Sequence, residues 1–333
     1  MNALCHPFTI GGKTVPGNIF LAPMAGYTDI PYRSICIDHG ADLTYTEMVS
    51  AEGLYRDSGK TVDMMKRAPN ETEYVIQLFM GGTEPIAKAV EMVEPFHPLM
   101  IDINAGCPVP KVTKTGSGSA LMKEPKEIEA IVSEIKKHTA IPVSVKFRLG
   151  WDAEHINFKE FAQAAIDGGA EVLTLHTRTR TEGYAPYAHS ERLSELKEYL
   201  SVHAPSVRLI GSGDLFTAQD AVRMLRKTGV DAVMIARGAI GNPFIFEDTK
   251  ALCAGGEIPA LTPERRTAAL LEHLDRTIAL YGEKSGCHQM RKCASFYTRG
   301  MQNVSEIKQK FNHTETRSDY VALCGLLTST MRK

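Results

Sequence analysis

Short runs of β-branched and other apolar residues alternate along the chain with longer stretches of helical periodicity. Eight of these runs are too short for helices and are bounded by Gly, Pro or polar residues, which is typical of buried strands. The predicted strands cover residues 18–23, 42–47, 74–79, 99–104, 142–148, 171–176, 207–211 and 231–236. The segments between them predict amphipathic helices, among them 84–96, 124–137, 158–167, 191–199 and 217–228.

This order of elements indicates an α/β fold built on a closed parallel barrel. Eight strand and helix units match a (β/α)8 TIM barrel, whereas an open doubly wound sheet more often stops at five or six strands. Enzymes with this barrel place their chemistry at the carboxyl ends of the strands. Polar residues at those ends are therefore the candidates for a functional site.

A different pattern begins after residue 260, where the predicted strands stop. Apolar residues recur there at spacings of four and three, which predicts a helix that begins near Thr262. They are Leu270, Leu274, Ile278 and Tyr281. The sequence thus predicts a TIM-barrel catalytic domain in residues 1–255, followed by a small all-helical domain in residues 260–333.

Charge differs between these two parts. The 333 residues are 43% hydrophobic and 23% charged, an ordinary balance for a folded protein, and the net charge of −1 argues against a wholly basic nucleic-acid-binding chain. From Thr262 onward, however, 12 Lys and Arg face seven Asp and Glu. This excess of positive charge fits either a solvated helical surface or a surface that contacts a polyanion.

Several other classes of protein are disfavoured. The seven cysteines include no Cys-x-x-Cys pair, so neither a zinc ribbon nor a disulfide framework is indicated. No run approaches the roughly 20 apolar residues that a membrane span requires. We expect a protein of the reducing cytoplasm, without a bound metal and without a membrane segment.

One cysteine is a candidate for catalysis. Cys107 follows the fourth predicted strand, in a loop between Gly106 and Pro108, and period two puts Asp102 and Asn104 on one face of that strand. Most lone cysteines are buried fillers. A thiol in a loop at the mouth of a barrel is better placed for chemistry than for packing.

Polar side chains also occur at the ends of neighbouring strands. Each of them could belong to a satisfied polar layer of the core, but their convergence at one end of a barrel is hard to explain by packing. They are Gln77 on the third strand, Lys146 and Arg148 on the fifth, and Thr174, His176 and the following Arg178 on the sixth.

Two glycine-rich turns follow the seventh and eighth predicted strands. Residues 211–214 precede Thr217 at a helix start, and residues 236–243 contain Arg237. Backbone amides in these loops of a barrel are a common phosphate site. Together with the small-residue turn 22–26, where backbone can lie against a planar ring, they predict a mononucleotide site. Flavin mononucleotide (FMN) is the natural candidate.

Five segments together resemble the bacterial tRNA-dihydrouridine synthases, most closely the B-type synthases. The loop Asn-Ala-Gly-Cys-Pro and the turn Pro-Met-Ala-Gly are the most specific, whereas the lysine and histidine strands would also fit other FMN barrels such as dihydroorotate dehydrogenases. The resemblance covers nearly the whole chain. Its segments are residues 22–29, 102–108, 145–148, 176–180 and 236–243.

The resemblance implies an oxidoreductase that acts on tRNA. NADPH would reduce FMN, and a hydride would then pass to the uracil ring while Cys107 donates a proton. FMN would be held by Met24, Ala25, Gly26, Gln77, Lys146, His176, Ser212, Gly213, Asp214, Ala236 and Arg237. The tRNA would be held by Asn104, Arg148, Arg178, Arg291, Lys292 and Arg299, the last three on one helix with Phe296 and Tyr297 between them.

Three positions depart from the family's usual residues, and one alternative function stays open. Thr177 and Ala236 stand where glycine is frequent, and Ser212 stands where asparagine is usual, although backbone donors survive all three changes. The alternative is an FMN barrel that reduces a free small molecule and uses its helical part for dimerisation. A non-catalytic RNA-binding scaffold is disfavoured because the candidate catalytic and flavin-contacting side chains are all present.

Overall fold

The computed structural model describes residues 4–56, 58–185 and 187–330. Its strands are β1 (Phe8–Ile10), β2 (Lys13–Val15), β3 (Ile19–Leu21), β4 (Leu43–Thr44), β5 (Val49–Ser50), β6 (Val75–Phe79), β7 (Met100–Ala105), β8 (Val143–Arg148), β9 (Val172–His176), β10 (Arg208–Ser212) and β11 (Ala232–Ile235). Its helices are α1 (Ile30–Asp38), α2 (Ala51–Tyr55), α3 (Gly59–Asp63), α4 (Ile86–Val93), α5 (Pro110–Thr113), α6 (Pro125–His138), α7 (Phe158–Asp167), α8 (Glu191–His203), α9 (Ala218–Thr228), α10 (Ile245–Cys253), α11 (Pro263–Tyr281), α12 (Glu283–Ala294), α13 (Ser305–Phe311) and α14 (Arg317–Thr330). Short 3₁₀ segments lie at Glu94–Phe96, Gly118–Lys123 and Ser295–Thr298.

Strands β3 to β11 form a parallel sheet that closes into a barrel. Their order is β4-β3-β11-β10-β9-β8-β7-β6-β5. A parallel bridge between Tyr45 and Val75 joins the chain after β4 to β6 and so closes the ring. The predicted (β/α)8 TIM barrel is confirmed, and each of the eight predicted strands overlaps an observed one.

The second predicted strand is shorter than expected. Only Leu43 and Thr44 pair with β3, and strand geometry resumes at β5, which pairs with β6. Between these two short strands, the hydroxyl of Thr46 accepts a hydrogen bond from the backbone N–H of Gln77 at 3.1 Å. A side chain thus takes the place of a ladder carbonyl where the pattern predicts continuous pairing.

A hairpin of β1 and β2 closes the amino-terminal end of the barrel, and the strand prediction missed it. Gly11 and Gly12 have positive φ angles of 56° and 75°, as a tight two-residue hairpin turn requires. Phe8, Ile10 and Val15 of the hairpin lie in one buried cluster with residues of the barrel strands. Because this end is filled with apolar side chains, the opposite end is left for chemistry.

The helices around the barrel bury one face against the sheet. At α9 the sequence specifies both ends: Thr217 and Asp220 form a capping box, and Gly229 ends the helix in the left-handed conformation with φ of 67°. Val222 and Leu225 on its inner face are buried. The five predicted helices between strands are confirmed, with most ends displaced by only a few residues.

Helices α11 to α14 form a second buried cluster, which confirms the predicted helical region after the barrel. Leu270 and Leu274 of α11 are fully buried in it, as the predicted stripe requires, while Tyr281 at the end of that stripe is 39% exposed. Phe244, which precedes α10, belongs to the same cluster and ties the two parts together. No helix within the described ranges is long and apolar enough to cross a membrane.

Two contacts fix the helical region beside the mouth of the barrel. The rings of Tyr32 in α1 and His273 in α11 stack with their centroids 4.9 Å apart. Gly241, in the loop after β11, allows a close approach of the backbone at Phe296, because a Cβ on Gly241 would lie 2.4 Å from the carbonyl carbon of Phe296. This packing brings residues 295–299 to the carboxyl ends of the strands.

Candidate active site

A cavity of about 600 Å³ opens at the carboxyl ends of the barrel strands. Loops after β3, β7, β10 and β11 form most of its wall, and Phe296 and Arg299 of the helical region form one side. A large cavity with a few converging polar groups is the usual form of a cofactor and substrate site. Of the predicted site residues, it brings together Met24, Ala25, Asn104, Cys107, Lys146, Arg148, His176, Ser212, Gly213, Asp214, Ala236, Arg237 and Arg299.

Cys107 lines this cavity in a loop that is held from two sides. Its backbone N–H donates to Oδ1 of Asn104 at 2.9 Å, and its carbonyl accepts from the N–H and the hydroxyl of Ser119, both at 3.0 Å. Gly118 packs against the same carbonyl, because an added Cβ would lie 2.8 Å from the oxygen. The thiol is therefore held at a fixed place on the cavity wall.

The environment of Cys107 keeps its thiol protonated. Burial raises its pKa, and the N–H of Val109 and the charges of Arg148 and Lys146 offset only part of that rise. An ordinary cysteine already has a pKa of about 8.5. At neutral pH the side chain is a thiol and not a thiolate, which suits a proton donor better than a nucleophile.

A chain of hydrogen bonds below the cavity fixes the orientation of Asn104. Ser144 donates to one carboxylate oxygen of Asp102 at 2.6 Å, and Nε2 of Gln77 donates to the other at 2.7 Å. Oε1 of Gln77 then accepts from Nδ2 of Asn104 at 2.9 Å, which turns Oδ1 of Asn104 toward the N–H of Cys107. Because a carboxylate can only accept hydrogen bonds, the charge on Asp102 sets the direction of both amides.

Asp102 remains a carboxylate at neutral pH although it is fully buried. Burial raises its pKa to about 6, and the hydrogen bonds from Ser144 and Gln77, with the charge of Lys146, limit that rise. The polarity of the chain that ends at Cys107 is therefore maintained at pH 7.

Lys146 and Arg148 reach the cavity from β8, as predicted, but they are bonded differently. Nε of Arg148 donates to the carbonyl of Gly106 at 2.7 Å, and its Nη1 donates to the carbonyl of Thr179 at 2.9 Å, so this side chain joins the Cys107 loop to the loop after β9. Lys146 has no hydrogen-bond partner among the described residues. Loss of hydration, with the charge of Arg148, lowers its pKa to about 8. An enclosed cation of this kind favours a ligand that offers acceptors.

His176, at the end of β9, is neutral. Nη1 of Arg178 lies 3.4 Å from Nε2 of His176, and a guanidinium can only donate, so that nitrogen accepts and Nδ1 carries the proton. Burial and the charge of Arg148 lower the pKa of His176 well below its ordinary value. Asp214 binds Arg178 at 2.6 Å and Arg237 at 3.1 Å, which fixes both guanidinium groups.

The loops after β10 and β11 present free backbone donors to the cavity. The N–H groups of Gly213, Arg237 and Gly238 have no hydrogen-bond partner within the described part of the chain. A Cβ on Gly238 would lie 2.0 Å from the carbonyl oxygen of Leu215, so a side chain there would push the two loops apart. We call these three amides and the Arg237 guanidinium the amide cradle, a set of donors that suits a phosphate.

The three departures from the usual family residues affect side chains and leave the amide cradle in place. The hydroxyl of Ser212 donates to the carbonyl of Met234 at 3.2 Å. The hydroxyl of Thr177 is buried and has no partner among the described residues. Among those same residues, no three His, Cys, Asp or Glu side chains are grouped to hold a metal ion.

Five predicted residues do not line the cavity. Gln77 is 1% exposed and belongs to the hydrogen-bond chain below it. Gly26 lies at the rim, where its N–H donates to Glu47. Lys292 lies beside it, with Nζ 5.6 Å from the centroid of the Tyr27 ring. The remaining two are Arg178, which lies behind His176, and Arg291.

The expectation that Arg291, Lys292 and Arg299 share one helix is wrong. Helix α12 ends at Ala294, and a 3₁₀ segment separates it from Arg299. Tyr297 in that segment is buried in the core of the helical region. Nε of Arg291 donates to the carbonyl of Thr314 at 2.8 Å, so this side chain joins helices, whereas Arg299 lines the cavity.

Aromatic side chains that the sequence reasoning did not select complete the cavity wall. They are Tyr27, Tyr184 and Phe216. Phe296, which the sequence predicts on an RNA-binding helix, lines the same cavity from the helical side. The Tyr184 ring has its centroid 6.5 Å from that of His176. Tyr184 and Phe216 lie in loops, where no periodic pattern exists, and the only signal was an aromatic side chain within a polar stretch.

The chain is a TIM barrel with a cavity at the carboxyl ends of its strands, and comparison with solved structures agrees on the fold. The histamine dehydrogenase from Rhizobium sp. 4-9 has a TM-score of 0.56 at 14% identity, with 83% of this chain and 51% of that chain aligned. A 2-naphthoyl-CoA reductase in complex with 2-naphthoyl-CoA has a TM-score of 0.56 at 12% identity over 76% of this chain and 52% of that chain. This chain thus spans about half the length of each, and at this identity the likeness shows a shared fold.

Sequence comparison gives the particular family. The profile of the dihydrouridine synthase (Dus) family matches residues 20–330, and this chain belongs to that family. A probable tRNA-dihydrouridine synthase of Treponema pallidum is 41% identical over 97% of this chain and 96% of its own length. The tRNA-dihydrouridine synthase B of Pasteurella multocida is 34% identical over 95% of this chain and 94% of its own length.

Proposed function

We propose that this protein reduces the C5–C6 double bond of specific uridines in tRNA to dihydrouridine, with FMN as cofactor and NADPH as reductant. The observation that carries the proposal is the Cys107 thiol on the wall of a cavity that also contains Lys146, His176 and the amide cradle. The similar proteins of Treponema pallidum and Pasteurella multocida bear the name tRNA-dihydrouridine synthase, which supports it. Membership of the family disfavours the alternative of a free small-molecule substrate.

The residues of the cavity fit FMN. The unpartnered amides and the Arg237 guanidinium of the amide cradle can bind its phosphate. Lys146, which has no hydrogen-bond partner in the described ranges, and Nδ1 of His176 can donate to heteroatoms of its ring. Met24 and Ala25 offer an apolar wall for the ring. When bound, FMN supplies the exchange of hydride between the nicotinamide and the uracil.

Cys107 is assigned the role of proton donor to the base. Its raised pKa keeps the proton on sulfur until the base accepts it. The backbone of Cys107 donates to Oδ1 of Asn104 and accepts from Ser119, and these hydrogen bonds keep the thiol on the cavity wall while the substrate enters. In this scheme Asn104 is a positioning residue for Cys107 as well as a wall of the substrate site.

We assign residues 1–255 to the cofactor and the chemistry, and residues 260–333 to RNA. A uridine in folded RNA must leave its stack to reach Cys107. The helical region brings a net positive charge to the rim, where Arg299 lines the cavity and Lys292 lies over Tyr27. Phe296, which is half-buried, lines the same side of the cavity and offers a surface on which a base can stack.

The test is a comparison of the Cys107→Ala variant with wild type and with Cys5→Ala, a control at another half-buried cysteine. Both variants should purify with FMN and be reduced by NADPH at the wild-type rate. Oxidation of the reduced flavin by tRNA in a single turnover should slow by about 10² to 10⁴ in Cys107→Ala, the usual contribution of a general acid.

Two results would contradict the proposal. A wild-type protein that is colourless and cannot be reconstituted with FMN would remove the cofactor assignment. A Cys107→Ala variant that oxidises reduced flavin with tRNA at the wild-type rate would remove Cys107 from the reaction.

A further inference from the structure

A second cavity of about 480 Å³ lies beside the first one, lined by the loops after β9, β10 and β11 and by α9. We call it the side groove. Tyr184, Asp214, Phe216 and Arg237 line both cavities, so these four side chains form the partition between them. Neither the proposed reaction nor the assigned cofactor residues use the far wall of this groove, which is formed by Tyr187 and Arg223 among others.

Exposed aromatic rings are concentrated in the side groove. Of the five Phe, Tyr or Trp side chains that are exposed in the described part of the chain, three line it. Tyr184 is 58% exposed, Tyr187 is 88% exposed and Phe216 is 41% exposed. Clustered, exposed aromatic rings beside a cavity indicate a surface for a planar ligand.

Arginines stand among these rings. The guanidinium carbon of Arg237 lies 4.4 Å from the ring centroid of Tyr184 and 4.9 Å from that of Phe216, so it is held between the two rings. Arg223 projects from α9 with 55% of its side chain exposed and pairs with Asp220 on the same helix. The donors that Arg223 does not use on Asp220 have no partner among the described residues.

The carboxylates of the groove are already neutralised. Asp214 binds Arg178 and Arg237, and Asp220 accepts from the N–H groups of Phe216 and Thr217 as well as from Arg223. With three arginines against two aspartates, the lining keeps one excess positive charge. That balance suits a small ligand with one phosphate near Arg223 better than a track for a polyanionic strand, which needs a row of cations.

We infer that the side groove binds the adenosine 2′-phosphate half of NADPH. The inference rests on the proposed function, because the nicotinamide of the reductant must enter the first cavity to reach the flavin, and the rest of the dinucleotide must then lie outside it. Tyr184 and Tyr187 offer faces for adenine, and Arg223 offers a fork of donors for the 2′-phosphate.

The test uses two variants on the far wall, Arg223→Ala and Tyr187→Ala, with Arg192→Ala and Tyr55→Ala as matched controls outside both cavities. Arg192, like Arg223, pairs with a carboxylate three residues away on its own helix, and Tyr55 is 47% exposed. Reduction of the flavin by NADPH is followed without oxygen at several NADPH concentrations. Arg223→Ala should raise the apparent Kd for NADPH about tenfold, the value of a charge-assisted hydrogen bond, and should scarcely change that for NADH.

Tyr187→Ala should weaken NADPH and NADH alike by about tenfold, because stacking on adenine does not depend on the 2′-phosphate. In both variants, oxidation of chemically pre-reduced flavin by tRNA should proceed as in wild type. Adenosine 2′,5′-bisphosphate, as an isolated probe of the groove, should compete with NADPH in wild type and lose about tenfold in affinity in Arg223→Ala.

Two results would overturn the inference. Variants that bind NADPH and adenosine 2′,5′-bisphosphate as wild type does would show that the groove holds another ligand. Variants that slow only the step with tRNA would assign it to the RNA. If the protein failed to reduce uridine, the proposed function would fall, but binding of adenosine 2′,5′-bisphosphate to wild type and to Arg223→Ala would still decide the occupant of the groove.

Discussion

The hydrogen-bond chain that ends at Cys107 makes Asn104 the most informative residue to change. Asn104→Ala removes the acceptor for the N–H groups of Gly106 and Cys107, and the donor to Oε1 of Gln77. Each buried polar group left without a partner costs about 1 to 3 kcal/mol. Because solvent can reach part of this loop, we expect the free energy of unfolding to fall by about 2 to 4 kcal/mol.

The loss of rate should exceed what this loss of stability explains. Without the Asn104 side chain, the Cys107 carbonyl still accepts a hydrogen bond from Ser119. The Cys107 N–H, however, loses the acceptor that orients it. A displacement of about 1 Å at a reacting group can lower the rate about 10²-fold. We therefore expect oxidation of reduced flavin by tRNA to slow about 10²-fold in a variant that is still folded at the assay temperature.

Two further variants separate the effect on the position of Cys107 from the effect on the stability of the protein. Tyr74→Phe removes a buried hydroxyl that donates to the carbonyls of Met65 and Phe96, far from the cavity, and should lower stability without slowing turnover. Asn104→Asp still accepts from the Cys107 loop but cannot donate to Gln77 while ionised. Its rate should therefore rise as the pH falls and the new carboxyl gains a proton.

The reasoning is refuted if the folded Asn104→Ala variant oxidises reduced flavin with tRNA at the wild-type rate. It is also refuted if Asn104→Ala slows the reaction no more than Ser119→Ala, which loses its hydroxyl but keeps its N–H bond to the Cys107 carbonyl. In that case the bond that orients the Cys107 N–H does not position the thiol.

The pKa of Lys146 is lowered to about 8, so its side chain is charged below that pH and neutral above it. The affinity for FMN, measured by fluorescence titration, should therefore fall between pH 7 and pH 9. The Lys146→Met variant should lack this pH dependence. His273 is buried and its pKa is lowered to about 3. The unfolded chain therefore gains a proton below pH 6.5 that the folded chain does not, and the free energy of unfolding should fall by about 2 kcal/mol between pH 6.5 and pH 5, relative to His273→Gln. Arg299→Ala should reduce the slope of log affinity for tRNA against log salt by about 0.7 to 0.9, whereas Arg291→Ala, which loses its bond to Thr314, should lower the melting temperature and leave that slope unchanged.

Each of these outcomes has a clear opposite. An FMN affinity that is constant to pH 9 would mean that Lys146 does not face the cofactor. Parallel pH profiles of wild type and His273→Gln would mean that His273 is not excluded from protonation. A salt slope that changes in Arg291→Ala and not in Arg299→Ala would place the RNA on the outer face of α12.

The sequence by itself determined the barrel and the end of it that carries chemistry. The number of strands can be counted from the sequence. A strand of a parallel sheet is buried on both faces and therefore reads as a short, nearly continuous apolar run, and helical segments separate these runs. Period two along β7 and β8 then indicates which side chains of one strand share a face, Asp102 with Asn104 and Lys146 with Arg148. The pairing of Asn104 with Lys146 across the two strands is seen only in the sheet. The loop of Cys107 could be placed because it directly follows such a strand.

Tertiary structure decided which of these residues face the cavity and which form hydrogen bonds with one another. Gln77 has the right strand position but turns its amide to Asp102 and Asn104, a choice made by a carboxylate 25 residues away. Arg291 and Arg299 are eight residues apart, which predicts one helix face, yet α12 ends at Ala294, between them. The 3₁₀ segment that follows buries Tyr297 in the core of the helical region. Most of the side groove is built from loops, which have no period to read, and Asp220 and Arg223 come from α9. Contacts between residues distant in the chain compete with local pattern, and only the packed structure shows which of them wins.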